Sequence, residues 1–308
     1  MHWARIPEAT FVPGIRILLA LHAWFGRGVF RIALWPVVLW YALTRPTARQ
    51  ASLEYLERLG RTGDGRTPPP TFASVLRHFE AFAETLLDTL LVWGGRVDAL
   101  RYERRGAEVL ARATASGRGA VVITAHVGNF ELCQVLATRH NSRRVNVLMH
   151  TGNTARFNAL LERQRLADRV CLIPVEDLAP QSAALLAARV DAGELVAIAG
   201  DRLPVSGAAP VLVTPFLGAP AAFPVGPYVL AAVLGCPLVA LFATRRGAAY
   251  VISAELLAER VVLPRERRQA AARPLLEHFV RLLEAECRAA PLGWFNFYPF
   301  WGSPPDRR

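Results

Sequence analysis

The chain has 308 residues, enough to bury a full core in one large or two modest domains, and it carries 36 basic residues, all arginine, against 25 acidic ones. Hydrophobic residues make up 53% of the chain and the mean hydropathy is +0.25, which excludes a disordered chain and a polytopic membrane protein. The net charge of +11 favours anionic partners such as phospholipid head groups or an acidic carrier protein. Nucleic acid is not expected as a partner, because the sequence has no long basic run, zinc-finger spacing or aromatic RNA-binding motif.

The first predicted element is a pair of helices in the apolar stretch from 14 to 43. Its longest uninterrupted run, 32 to 43, is about 12 residues long, shorter than the roughly 20 that cross a bilayer. No small-residue cleavage site follows, so a signal peptide is not expected. Tryptophans at Trp24, Trp35 and Trp40, beside arginines, favour helices that lie in the membrane interface, and the alternative is a buried helical hairpin.

A glycine- and proline-rich break follows this region. The stretch "GRTGDGRTPPPT" predicts a linker at 61–71, between a helical membrane-associating segment at 1–60 and a main domain at 72–308. The main domain begins with a helical pattern that ends near two consecutive glycines.

From about residue 100, helical patterns alternate with five short apolar runs. The runs are "AVVITA" (120–125), "VNVLM" (145–149), "CLIPV" (171–175), "LVAIAG" (195–200) and "PLVALFAT" (237–244). Short, nearly continuous apolar runs are typical of buried strands in a parallel sheet with helices on both faces. The predicted fold is therefore α/β, a mostly parallel central sheet flanked by helices, with a helical membrane-associated N-terminal segment.

Polar side chains follow three of these runs, at the points where the strands should end. His126 follows the first run, His150 the second, and Asp201 with Arg202 the fourth. In open α/β sheets, ligands bind outside the carboxyl ends of the strands. The three strand ends therefore predict one common site.

The stretch "HVGNFE" (126–131) sets an imidazole and a carboxylate five positions apart. With a turn at Gly128 and an N-cap at Asn129, Glu131 falls in the first turn of a helix, where the helix dipole favours its ionised form. Glu131 could accept a hydrogen bond from one nitrogen of His126 and leave the other free to take a proton from a substrate hydroxyl. The alternative is an ordinary loop histidine. No Gly-x-Ser-x-Gly nucleophile elbow is present.

The four cysteines are widely separated, at Cys133, Cys171, Cys236 and Cys287. They form no Cys-x-x-Cys pair and no cluster with histidine, so no metal site is expected and buried, reduced thiols are the prediction.

Five motifs in order resemble the lysophospholipid acyltransferase superfamily, and within it the bacterial lipid A biosynthesis (lauroyl or myristoyl) acyltransferases. They are "HVGNFE", matching a His-x4-Asp/Glu motif, "HTGNTARFN" (150–158), "AGDRLPV" (199–205), "PFLGAPAAFPVGPYVLAAVLGCPLVALF" (215–242) and the aromatic tail "WFNFYPFW" (294–301). The third block departs from the Phe-Pro-Glu-Gly of glycerolipid enzymes, which argues against plain lysophosphatidate as the acceptor.

The resemblance implies an O-acyltransferase at the cytoplasmic face of the bacterial inner membrane. It would move a fatty acyl group from an acyl carrier protein or coenzyme A thioester to a hydroxyl of a membrane glycolipid or lipid A-like acceptor, with no cofactor beyond that co-substrate. The implied base is His126, oriented by Glu131. A thioesterase, or a non-catalytic lipid-binding protein on the same fold, is the alternative.

Attack on a thioester forms an oxyanion that needs fixed hydrogen-bond donors. The predicted donors or substrate-binding groups are the amides of Gly128 and Asn129, Arg156 and Arg202. Arg156 could instead hold a phosphate or remain a surface residue, and Asp201 either fixes one of these arginines or caps a turn. The fourth block is either an acyl-chain wall or a loop and core helix, and the aromatic tail either a membrane-interface patch or a lid on the core.

Overall fold

The computed structural model describes residues 12–62, 65, 67–93, 95–141, 143–149, 170–174, 180–203 and 210–302. Within these ranges the helices are α1 (Val12–Thr44), α2 (Pro46–Thr62), α3 (Phe72–Trp93), α4 (Ala107–Ala113), α5 (Phe130–Asn141), α6 (Pro180–Asp191), α7 (Gly226–Leu234) and α8 (Arg268–Ala289). The strands are β1 (Arg101–Arg105), β2 (Val121–Thr124), β3 (Val145–Met149), β4 (Val170–Pro174), β5 (Leu195–Ala199), β6 (Val211–Phe216), β7 (Ala219–Pro224), β8 (Leu238–Arg246) and β9 (Ala249–Ala258).

Seven strands form one sheet in the order β1-β9-β8-β2-β5-β3-β4. Neighbouring strands are parallel except for β8 and β9, which form an antiparallel pair. The five apolar runs became β2, β3, β4, β5 and β8, so the prediction of a mostly parallel α/β sheet is confirmed.

Helices cover both faces of this sheet, which explains why its central strands lack polar alternation. In β2, Val121 and Ile123 join a core with α2, α6, α7 and α8, whereas Val122 joins a second core with α3 and α5. All four side chains of β2 are buried. The apolar run of β2 thus supplies two separate cores from successive residues.

Four strands were not predicted: β1, β6, β7 and β9. The edge strand β1 reads "RYERR" with four exposed side chains, and β9 mixes buried and half-buried positions. The hairpin of β6 and β7 forms a separate two-stranded sheet and contains Pro215, Pro220 and Pro224. Proline and exposed charge oppose a strand prediction because they are depleted in sheet interiors.

The N-terminal stretch forms two helical pieces joined at Gly26, whose φ of 76° interrupts α1. Beyond the kink, Phe30, Leu34 and Val38 are buried against α3. The opposite side of α1 leaves large apolar side chains exposed to solvent: Trp24, Phe25, Val29, Ile32, Trp35, Val37, Trp40 and Leu43. We call this set the exposed α1 face. None of the described helices has both the length and the apolar composition to cross a bilayer.

Two partly exposed arginines of α1 form ion pairs with acidic residues of α3. Arg27 pairs with Asp88 and Arg31 pairs with Glu84, both on α3. Each acidic partner is largely buried, and Glu84 also accepts a hydrogen bond from Arg245 at 2.6 Å. These ion pairs attach the part of α1 beyond Gly26 to α3. The predicted domain boundaries at 60 and 71 stay a prediction.

Candidate active site

The carboxyl ends of β2 and β5 bring His126 and Asp201 together. The strands are parallel neighbours, with Thr124 opposite Ala199. The amide of Gly200 donates to the carbonyl of Thr124 at 2.7 Å and so extends the ladder by one step. Two residues further along, the same register sets His126 beside Asp201.

Asp201 holds His126 through both of its carboxylate oxygens. Oδ1 lies 2.8 Å from Nδ1 of the imidazole, and Oδ2 accepts the backbone N–H of His126 at 2.9 Å. The Asp201 side chain is 1% exposed, whereas that of His126 is 34% exposed. The pair therefore has a buried acid that orients an imidazole with a solvent-accessible edge.

Electrostatics favour a neutral imidazole beside an ionised carboxylate. Burial, followed by the charge of Arg202, lowers the pKa of His126 from its ordinary value, although Asp201 opposes this shift. Burial alone would raise the pKa of Asp201, but the charge and hydrogen bonds of His126 and the charge of Arg202 outweigh it and lower that pKa. At neutral pH, Nδ1 therefore carries the proton that Asp201 accepts, and Nε2 keeps a free lone pair.

The carboxylate that orients His126 was therefore wrongly predicted. Glu131 lies in the first turn of α5, as expected, but the described residues contain no hydrogen bond between it and His126. Burial raises the pKa of Glu131, and Thr89 on α3 is its side-chain hydrogen-bond partner. Asp201 takes this place because β5 lies next to β2, and the parallel register brings the residue that follows β5 beside His126.

The turn after His126 forms as the sequence indicates, but its amides are already used. Gly128 has a φ of 70°, and Oδ1 of Asn129 caps α5 by accepting the N–H of Leu132 at 3.0 Å. The N–H of Gly128 donates to the carbonyl of Gly293, and that of Asn129 to the carbonyl of Ala243, both at 2.8 Å. These two amides were predicted to stabilise an oxyanion, and their hydrogen bonds within the protein rule out that role in this conformation.

Gly128 is required by both its conformation and its surroundings. A Cβ atom added there would lie 1.9 Å from the carbonyl oxygen of Ala243. We expect Gly128→Ala to lower the free energy of unfolding by at least about 2 kcal/mol, because left-handed strain adds to a clash with backbone. Chemical denaturation of the purified protein measures the change.

Gly235→Ala separates the two causes. Gly235 also has a positive φ, 57°, but has nothing within 4 Å of an added Cβ. Gly235→Ala should lower the free energy of unfolding by only about 1 kcal/mol, the cost of the left-handed conformation. Equal losses at both positions would contradict the close approach at Gly128.

The C-terminal segment 293–296 contributes a part of the site that the sequence did not reveal. Val127 and Trp294 form an antiparallel bridge, and the N–H of Phe295 donates to the carbonyl of His126 at 2.8 Å. The indole Nε1 of Trp294 donates to Oδ2 of Asp201 at 3.0 Å. Trp294, Phe295 and Phe300 are buried. These three side chains therefore cover the core, as in the second of the two predicted alternatives, and do not form a membrane-interface patch. The aromatic motif drew attention to this segment in the sequence, but no local pattern predicted the hydrogen bond from Trp294 to Asp201.

The remaining predicted residues divide between described and undescribed parts of the chain. Arg202 is half-buried, and its charge acts on both His126 and Asp201. Arg156 and His150 lie outside the described residues. The fourth block forms the hairpin of β6 and β7, helix α7 and strand β8, and its buried side chains belong to the core.

A comparison with models of protein families gives a match over most of the chain. Residues 75–302 match the family described as bacterial lipid A biosynthesis acyltransferase. A comparison with curated proteins finds no significant match. The family match includes most of α3, the whole seven-stranded sheet, the pair of His126 and Asp201, and the aromatic tail. Because it covers well over half of the chain, the chain belongs to the bacterial lipid A biosynthesis acyltransferase family, whose reaction is acyl transfer to a lipid-like acceptor.

Proposed function

We propose that the chain transfers a fatty acyl group from an acyl thioester to a hydroxyl of a lipid A-like or glycolipid acceptor. The observation that carries this proposal is the pair of His126 and Asp201, with the acid buried and one edge of the imidazole accessible. The donor is an acyl carrier protein or coenzyme A thioester, and no metal or bound cofactor takes part. The net charge of +11 suits an anionic lipid surface and an acidic carrier protein.

In this mechanism Nε2 of His126 takes the proton of the acceptor hydroxyl as its oxygen attacks the thioester carbonyl. The tetrahedral intermediate then collapses, the carbon–sulfur bond breaks, and the imidazolium returns the proton to the departing thiolate. Asp201 holds Nδ1 throughout and stabilises the imidazolium. A lowered pKa of His126 keeps the base neutral and active at pH 7.

The oxyanion must meet donors other than the two amides of the 128–129 turn. We propose the side chains of Arg202 and Arg156 for this role, since a guanidinium offers several donors and a fixed charge. Arg202 already lies close enough to influence both members of the pair. Glu131 remains a proposed site residue, hydrogen-bonded to Thr89 and not to His126.

We propose the cytoplasmic face of the bacterial inner membrane as the location, with the exposed α1 face as the contact. Trp24 is 81% exposed and Ile32 is 74% exposed. A contiguous apolar patch with several tryptophans is typical of a surface that lies in a membrane interface. The buried-hairpin alternative explains only the opposite side of α1, which packs against α3.

A charge at the centre of the exposed α1 face should weaken membrane binding. We expect Ile32→Glu to lower affinity for vesicles of anionic phospholipid by about tenfold, because a carboxylate must be desolvated at the interface and is repelled by the lipid head groups. Co-sedimentation with vesicles measures the affinity. Val262→Glu is the matched control, since Val262 is 69% exposed and lies outside this face. Equal loss in both variants, or none in either, would contradict the assignment.

The reaction itself is tested by its products. The purified protein would be incubated with mixed acyl carrier protein and acyl coenzyme A thioesters and a bacterial membrane lipid extract, followed by mass spectrometry. A lipid heavier by one acyl group supports transfer. Free fatty acid without acylated lipid supports the thioesterase alternative. If neither acylated lipid nor free fatty acid forms, the result supports a lipid-binding protein.

A further inference from the structure

Trp294 is placed to orient the acid of the site. Its side chain is fully buried, and its indole Nε1 donates to Oδ2 of Asp201 at 3.0 Å. The same Oδ2 accepts the backbone N–H of His126, which leaves Oδ1 facing Nδ1 of the imidazole. Two donors on one oxygen therefore fix the rotation of the carboxylate about its Cβ–Cγ bond.

A buried histidine holds Trp294 from the other side. Nε2 of His78, on α3, lies 3.0 Å from the carbonyl oxygen of Trp294, and Nδ1 lies 2.9 Å from Oγ of Ser52 on α2. A carbonyl only accepts, so Nε2 of His78 carries the proton and Nδ1 accepts the hydroxyl of Ser52. Burial lowers the pKa of His78 to about 4, so this imidazole is neutral at pH 7.

We propose that Trp294 is a positioning residue for the base: its indole N–H aligns Asp201 with His126, and the link from Ser52 through His78 keeps the indole in place. The inference rests on the proposed function only where it refers to turnover. The alignment itself is a property of the resting protein.

Loss of the indole donor should change the basicity of Asp201 and, through it, the pKa of His126. A carboxylate with one donor fewer is more basic and stabilises a neighbouring imidazolium better, so the pKa of His126 should rise. Among the residues that the structure describes, the charged groups that act on this pair are the two residues themselves and Arg202. Tyr298 and Cys287 also influence the surroundings, but burial raises the pKa of each and keeps both neutral.

The sharpest test replaces Trp294 with benzothienylalanine, in which sulfur substitutes for the indole N–H and the ring keeps its shape. Trp294→Phe is the encoded equivalent, with some loss of packing. Trp301→Phe is the matched control, because Trp301 lies in the same aromatic cluster but donates from Nε1 to the carbonyl of Phe216 at 3.1 Å. Two quantities are measured in the full chain: the His126 titration by ¹⁵N NMR, and kcat with KM for acyl transfer.

We expect the isosteric variant to raise the pKa of His126 by about half a unit and to lower kcat about tenfold with little change in KM. Trp301→Phe should leave the titration of His126 unchanged. An unchanged titration in the isosteric variant, or an equal shift in Trp301→Phe, would overturn the proposal. If the unmodified protein transfers no acyl group, the proposed function fails, while the NMR titration still decides the role of Trp294.

Discussion

Asp201→Asn is expected to lower kcat for acyl transfer by about 10³-fold while the protein stays folded. Oδ2 of Asp201 accepts two donors, from His126 N–H and from the indole of Trp294. An asparagine will direct its carbonyl oxygen to these donors, so its NH₂ group faces Nδ1 of His126. Nδ1 must then accept a hydrogen bond, the proton moves to Nε2, and the base loses its free lone pair. Steady-state kinetics with an acyl thioester and lipid extract measure the loss.

Asp191→Asn is the matched control for this substitution. Asp191 is 61% exposed and pairs with Arg118 on the surface, at the far end of α6 from the site. Removing an exposed ion pair changes stability by less than about 1 kcal/mol, so turnover should stay near that of the unmodified protein. Raising the pH should not restore Asp201→Asn, because its defect is the tautomer and not the protonation state. Turnover within about twofold of normal would contradict the role of Asp201.

The orienting acid was misassigned for a physical reason. The spacing from His126 to Glu131 is local, and it correctly placed Glu131 in the first turn of α5. The contact with Asp201 is non-local and depends on β5 lying next to β2, an order that a single sequence does not give. Once the two strands are paired, the register alone brings His126 and Asp201 together. Collecting polar residues from several strand ends therefore grouped His126 with Asp201 but did not indicate the hydrogen bond between them.

The same distinction applies to the fold. Strands with apolar runs were predictable: β2, β3, β4, β5 and β8. The edge strand β1, with its exposed charges, and the hairpin of β6 and β7, with its prolines, were not. These elements form because a neighbouring strand supplies hydrogen bonds, as β9 does for β1. The local sequence of a strand does not predict which strand will lie next to it.

The hydrogen-bond donors of the 128–129 turn could not be assigned from the local motif. A glycine at positive φ followed by an asparagine is typical of a turn with free amides that could bind an anion. Here the amides of Gly128 and Asn129 bind the carbonyls of Gly293 and Ala243, because the C-terminal segment and β8 approach from either side. The turn is therefore a structural joint between three segments. It holds His126 in position, and we propose Arg202 and Arg156 as the donors for the oxyanion.

His126→Ala should abolish acyl transfer, with a loss of at least about 10³-fold in kcat, because the substitution removes the proposed base that takes the proton of the acceptor hydroxyl. The imidazole edge is accessible and its side chain makes its hydrogen bond only with Asp201 among the described residues, so removal should leave the fold intact. Thermal unfolding verifies the fold, and mass spectrometry of the lipid product measures transfer. In the unmodified enzyme, activity should fall with acid only below about pH 6.5, since the pKa of His126 lies under its ordinary value.

His278→Ala provides the control, because His278 lies on the surface and pairs with Glu255 at 2.7 Å. It should retain normal transfer. Added imidazole should restore part of the activity of His126→Ala, since the space left by the ring opens to solvent and Asp201 remains to orient a free imidazole. Rescue would separate a missing base from a damaged fold. If His126→Ala transfers acyl groups at the normal rate, the base is another residue and the mechanism is wrong.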